Sequence, residues 1–210
     1  GMEPIARKIA KVGKLDWTSL QNQPNAILAV SLVEIGQNKL ADTALRHQAR
    51  IGDVRQHANL AYLAGALNLA STQFWFGHYG PSRDQSTTTA RYPLPNWEPT
   101  GGWRVTPSLI YAHALQESNF RTDVISPAGA RGLMQVLPGT AQGLARARGF
   151  SFAAADLDRP AVNLEYGQSY LEKLRDLPIT GGFLPKVIAA YNAGPSPVAR
   201  WNSELRDNGD

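Results

Sequence analysis

The chain has 210 residues, 43% hydrophobic and 18% charged, enough for a buried core in one large domain or a domain with an accessory segment. That balance excludes global disorder, and the absence of cysteine excludes disulfides, thiolate catalysis and Cys-ligated zinc. A net charge of +4 suits an anionic polymer or surface as partner, a membrane surface among them, but no Lys/Arg run reaches the length of a nucleic-acid patch, so no nucleic acid is expected.

The opening Gly1-Met2-Glu3 reads as an added start ahead of a mature or internal one, which leaves room for a removed export signal. No apolar run approaches the roughly 20 residues that span a bilayer. Residues 1–80 read as a helical accessory segment. Ile27, Leu28, Val30, Leu32 and Ile35 approximate one helical stripe, and Leu40, Ala41, Ala44, Leu45 and Ala49 a second. Asp53 is placed to cap a third helix through Leu60, Leu63 and Leu67. The abundant alanine suits close helix approach, as in αα-hairpins of superhelical arrays, although no strict repeat period is visible.

Residues 81–105 interrupt this pattern with Pro81, Pro93, Pro95, Pro99, Gly101 and Gly102 and read as a connection. Trp97 and Trp103 within it either pin the segment onto the following domain or offer faces on which a sugar can stack. Residues 106–210 read as a second, mainly helical unit. Thr106-Pro107 opens a helix that runs to Glu117, and Pro138 opens another. A third follows Asn163, with Asp156 and Asp158 expected to cap it, and a short fourth ends at Gly194. Between Ser126 and Val136 the glycines suit a turn or small hairpin.

Glu117 closes an apolar helix, and a carboxyl partly buried there loses hydration, which favours its protonated form. Such a group can donate a proton to a glycosidic oxygen. Asp123, Asp156, Asp158, Glu165 and Glu172 are the candidates for a second carboxylate, and His113 lies one helical turn before Glu117. Four histidines, none with zinc spacing, give no expectation of a metal. Ser118 lacks the Gly-x-Ser-x-Gly setting of a nucleophilic serine.

Three motifs now stand in order: Gln116-Glu117-Ser118, then Ala130-Arg131-Gly132-Leu133-Met134-Gln135, then Ala189-Ala190-Tyr191-Asn192-Ala193-Gly194-Pro195. Leu157-x-x-Pro160-x-x-Asn163 and Gly167-x-x-Tyr170-Leu171 lie between the last two. Over residues 92–201 this order resembles the catalytic domain of the soluble lytic transglycosylases, which cut the glycan strands of bacterial peptidoglycan. The resemblance implies a lysozyme-like α+β fold, mainly α, with no cofactor. It implies action in the periplasm on the bond between N-acetylmuramic acid and N-acetylglucosamine, leaving a 1,6-anhydro product. Glu117 would be the catalytic acid, then base. Ser126 would hydrogen-bond the sugar, with a plain turn serine as the alternative. Gly129 and Gly132 would let backbone approach the glycan, and Met134 and Gln135 would line the cleft, Met134 being equally suited to the core. Tyr191 would place its hydroxyl near Glu117, supported by Asn192. Members of the family continue into a Glu-Thr-Arg-x-Tyr-Val segment beyond the last motif, so a C-terminally truncated domain is expected here. A hydrolytic muramidase and a non-catalytic glycan-binding module are the alternatives.

Overall fold

A computed structural model describes residues 15–85 and 87–207, so the expectations for the first 14 residues lie outside the described part. The chain divides into two compact units, Gly1–Asn96 and Trp97–Asp210. The boundary falls inside the segment read as a connection. Its first part carries a short helix of the first unit, and its second part is bonded into the second. Among the described residues, no helix is long and apolar enough to cross a membrane.

In the first unit, α1 (Trp17–Leu20) precedes α2 (Pro24–Glu34) and α3 (Asn38–Ile51). α4 (His57–Ala66), α5 (Ala70–His78) and α6 (Thr88–Arg91) follow. Pro24 starts α2 where a missing N–H leaves no hydrogen bond unmade. Ala26, Ala29, Ala41, Ala44 and Leu45 are buried between α2 and α3, and small side chains there let the two helices lie close. Asp53 accepts from the Arg55 amide at 2.9 Å but caps a 3-10 turn, Val54–Gln56, and the expected helix starts one turn later, at His57.

In the second unit, α7 (Pro107–Ser118), α8 (Pro138–Ala147), α9 (Pro160–Arg175), α10 (Leu184–Ala193) and α11 (Pro195–Asp207) surround a small irregular turn region. Among the described residues, the strand-like pairing of the turn region is two isolated antiparallel bridges, Ile125 to Arg131 and Arg131 to Val136. α10 ends at Gly194, whose φ of 89° is open to glycine and closed to most other residues. The aromatic residues of the former connection are tied to α7. The Trp97 carbonyl accepts from the Tyr111 hydroxyl at 2.8 Å, and the Trp103 ring stands edge-on to Tyr111 at 5.6 Å.

One buried side chain fixes the turn region to α9. Asn163, with no exposed surface, donates to the carbonyls of Arg131 and Leu157, both at 2.8 Å. Its Oδ1 accepts from the Met134 amide at 2.8 Å. Gly132 makes room for it: a Cβ on Gly132 would lie 2.3 Å from the Asn163 amide nitrogen. The sulfur of Met134 in turn rests on Gly167 of α9.

Asp158 departs from the expected cap. It forms a two-pronged ion pair with Arg131, at 2.6 and 3.1 Å, and α9 starts at Pro160 without a side-chain cap. The short-range cap lost to a long-range partner because a guanidinium offers two aligned donors.

The two ties differ in burial, and so in expected cost. Asn163→Ala leaves buried amide and carbonyl groups without partners and should destabilise the second unit by about 2–4 kcal/mol. Asp158→Ala removes a half-exposed ion pair and should cost less than about 1 kcal/mol. Urea unfolding followed by circular dichroism checks both.

Candidate active site

Glu117 sits in the last turn of α7. The helix stops just beyond it because Asn119 takes the left-handed conformation, φ 51°, and its amide bonds back to the Leu115 carbonyl at 3.0 Å. The carboxyl of Glu117 is half-buried, and burial pushes it above the ordinary carboxylate range, while the nearby His113 works in the opposite direction. Among the described residues, no donor hydrogen-bonds or ion-pairs with this carboxylate. Its protonated form therefore carries the smaller desolvation penalty.

Tyr191 of α10 reaches the same place. Its hydroxyl donates to the Met134 carbonyl at 2.7 Å. The ring meets His113 edge-on at 5.0 Å and Tyr170 of α9 at 5.3 Å. Burial raises the Tyr191 hydroxyl far above its ordinary range, and the charges of Glu117 and Tyr170 add to the effect. Tyr191 is thus a neutral donor at any working pH, coupled to the charge of Glu117.

The structure gathers Glu117, Tyr191, Tyr170, His113 and the Met134 carbonyl. It does not present the Met134 side chain, which is completely buried. Only the backbone of Met134 faces this group. Gln135 adopts φ 47°, and its amide nitrogen donates to the Gly132 carbonyl at 2.9 Å, leaving the side chain half-exposed. The Ser126 hydroxyl accepts from the Ala130 amide at 3.0 Å and so braces the turn. Gly129 makes that turn with φ 81°. Asn192 is exposed at the end of α10. Ser118 is buried and donates to the Ala114 carbonyl at 3.0 Å, a helix-internal bond. Asn163 and Tyr170 stand in the sequence as motif positions, but neither is assigned a role at the site there. Neither contact has a local signal, since Asn163 acts 29 positions away from Met134.

The other carboxylates are engaged elsewhere. Glu165 takes hydrogen bonds from Arg104 at 2.7 Å, Arg148 at 2.8 Å and Gln168 at 3.0 Å. Burial raises its pKa, but those bonds outweigh burial and hold it at about 2. Glu172 pairs with Arg104 at 3.0 Å. Asp156 accepts from the Ala153 amide at 3.3 Å. A cavity of about 880 Å³ opens beside Arg104, Arg148, Glu165 and Tyr166 and is not lined by Glu117. Its one buried carboxylate is fixed in the ionised form, so it cannot serve as a proton donor near neutral pH.

A family model described as transglycosylase SLT domain matches residues 97–210. The soluble lytic murein transglycosylase of Escherichia coli K12 is 39% identical over 105 residues, which is 49% of this chain and 16% of that protein. The membrane-bound lytic murein transglycosylase C of Histophilus somni is 37% identical over 115 residues, 51% of this chain and 32% of the other. The chain thus spans between a sixth and a third of these relatives. Among solved structures, the 70 kDa soluble lytic transglycosylase of Escherichia coli superposes with a TM-score of 0.73 at 26% identity. That match covers 87% of this chain and 30% of that one. The same enzyme in complex with bulgecin A gives 0.72. The lysozyme-like fold expected from the motifs is therefore the observed one.

The Glu165 cluster should be visible in acid. A carboxylate with a folded pKa of about 2, against an ordinary value of 4.5, stabilises the fold above pH 4.5 and loses that contribution as the pH falls toward 2. The amount is roughly 3 kcal/mol. Unfolding free energies measured from pH 6 to pH 2 should fall across this window, and Glu165→Gln should lower the plateau and flatten the fall.

Proposed function

The chain belongs to the transglycosylase SLT family, and we propose that it is a lytic murein transglycosylase acting on peptidoglycan glycan strands in the periplasm. The observation that carries the reading is Glu117: a half-buried carboxyl with no ion-pair partner, pushed above the ordinary carboxylate range, at the end of a helix and electrostatically coupled to a neutral tyrosine.

Glu117 protonates the oxygen that joins N-acetylmuramic acid to N-acetylglucosamine, and the C1–O bond breaks. The acetamido group of the muramyl residue stabilises the cationic C1. The carboxylate left on Glu117 then takes the proton of the muramyl C6 hydroxyl as that oxygen bonds to C1. The proton balance closes on one residue, and the product is a 1,6-anhydro sugar. This is a substrate-assisted version of two-carboxylate glycoside cleavage. It suits a site in which Glu165, Glu172 and Asp158 are each bound to an arginine. Tyr191, through its hydrogen bond to Met134, defines one wall beside the carboxyl. Ser126, Gln135 and Asn192 lie on the turn region and the end of α10, and we assign them to glycan contact, whereas Gly132, buried against Asn163, and Met134, whose amide and carbonyl are taken by Asn163 and Tyr191, serve the packing of the turn.

Mass spectrometry of purified peptidoglycan after incubation with the chain and with Glu117→Gln tests the reading. The unmutated chain is expected to release muropeptides lighter by one water than hydrolytic products. Glu117→Gln should lower turnover by at least about 10³-fold, since it removes both proton transfers. Reducing-end products alone would instead identify a hydrolytic muramidase, and glycan binding without turnover a binding module.

A further inference from the structure

The cavity beside Arg104, Arg148, Glu165 and Tyr166 lies apart from Glu117 and lacks a role in the scheme above. Its volume of about 880 Å³ is that of a site for a short peptide or a small molecule of similar size, far more than one ion needs. Its polar lining is out of balance. Oε1 of Glu165 accepts from Arg104 and Arg148, and Oε2 accepts from Gly101, Arg104 and Gln168. A carboxylate offers about four lone-pair sites, so Glu165 has no capacity left for a further donor. The arginines do. Arg148 uses only Nη1, at 2.8 Å from Glu165, and its other guanidinium nitrogens have no partner among the described residues. Arg159 is 70% exposed and comes no closer to Asp156 than 3.7 Å, beyond hydrogen-bond distance. Three guanidinium groups and two carboxylates line the cavity, an excess of one positive charge.

We propose that this cavity binds a short peptide by its terminal carboxylate, with Arg148 and Arg159 as donors and Phe150 and Val162 as an apolar wall. A guanidinium fork matches the planar geometry of a carboxylate. One surplus positive charge suits one carboxylate and is too small for a polyphosphate. Phe150, 68% exposed, is a large ring left in water on the cavity wall, and an apolar side chain of the peptide would cover it. Glu165 serves as the anchor: it holds Arg148 by a single nitrogen, so the guanidinium is placed before the peptide arrives and little ordering is left to pay for on binding. The site stands on this geometry alone. That the peptides carried by peptidoglycan are its source rests on the reading of Glu117 given above.

The test reads binding directly and does not require turnover. The chain is titrated with N-acetyl-Ala-Phe as the free acid, with its C-terminal amide and with inorganic phosphate, and backbone amides are followed by nitrogen-15 NMR. The free acid should shift the amides of Gly101, Ser151 and Val162 saturably. The C-terminal amide should bind about tenfold more weakly, and Arg159→Gln should weaken binding of the acid by a similar factor. Arg159 is exposed and outside the Glu165 cluster, so its replacement leaves the fold intact. On glycan strands, Arg159→Gln should raise KM severalfold where the peptides are present and leave kcat, and strands stripped of peptide, unchanged. Equal binding of acid and amide, or no shift at these amides, would overturn the proposal. Phosphate binding as tightly as the acid would overturn the peptide assignment and leave a general anion site. Carboxylate-selective binding without any turnover would keep the site and remove the reading of Glu117 instead.

Discussion

The turn region of the second unit depends on one buried amide. Asn163 satisfies the Arg131 carbonyl and the Met134 amide of the turn region, a stretch with almost no regular secondary structure of its own, and the Leu157 carbonyl of the 3-10 turn just before its own helix. Such backbone cannot be buried unless something outside it supplies the partners. Asn163 supplies them from a rigid helix. The Met134 carbonyl is thereby set at the place where the Tyr191 hydroxyl finds it, and Tyr191 is coupled to the charge of Glu117. Three segments distant in sequence are held to one geometry by a chain of hydrogen bonds that begins at a single side chain.

The same helix hosts the opposite electrostatic solution on its other flank. Glu165 is at least as deeply buried as Glu117, yet burial alone does not decide its state. Two guanidinium groups and the Gln168 amide reach it, and it is held at about 2. Glu117 receives no such donors, so burial prevails and the acid form is favoured. One fold therefore holds one carboxylate at about 2 and pushes another above the ordinary carboxylate range. The difference lies in the placement of Arg104 and Arg148, both outside the helices that carry the two glutamates.

Much of this was legible in the sequence where the signals are local. Pro107, Pro138 and Gly194 mark helix ends by their own backbone limits, and Glu117 at the close of an apolar helix announces a carboxyl poorly supplied with water. Residues whose role depends on distant partners were not legible in the same way. Asp158 reads as a cap because it stands just before a helix, but Arg131 lies 27 positions away and offers the better bond. Met134 reads equally as cleft or core, and the decision rests with Gly167, whose missing side chain opens the space that the sulfur fills. The proline- and glycine-rich stretch reads as a linker because composition does not reveal that Trp97 and Trp103 have Tyr111 to rest on.

That aromatic contact bears on the site itself. Asn119 and Phe120 both take positive φ, at 51° and 61°, immediately after the helix that carries Glu117. The left-handed conformation costs roughly 1–2 kcal/mol for a residue with a Cβ, and a phenylalanine has no short polar group to soften it. Phe120 is nevertheless 3% exposed, with Trp97 and Tyr111 each 6.5 Å from its ring. Burying a ring of that size returns about 1.5–3 kcal/mol, enough to offset the backbone cost. The turn is thus held by its aromatic packing, three residues beyond Glu117. A chain that left α7 in an ordinary conformation would let its last turn fray into water, and Glu117 would regain the hydration whose loss makes it an acid.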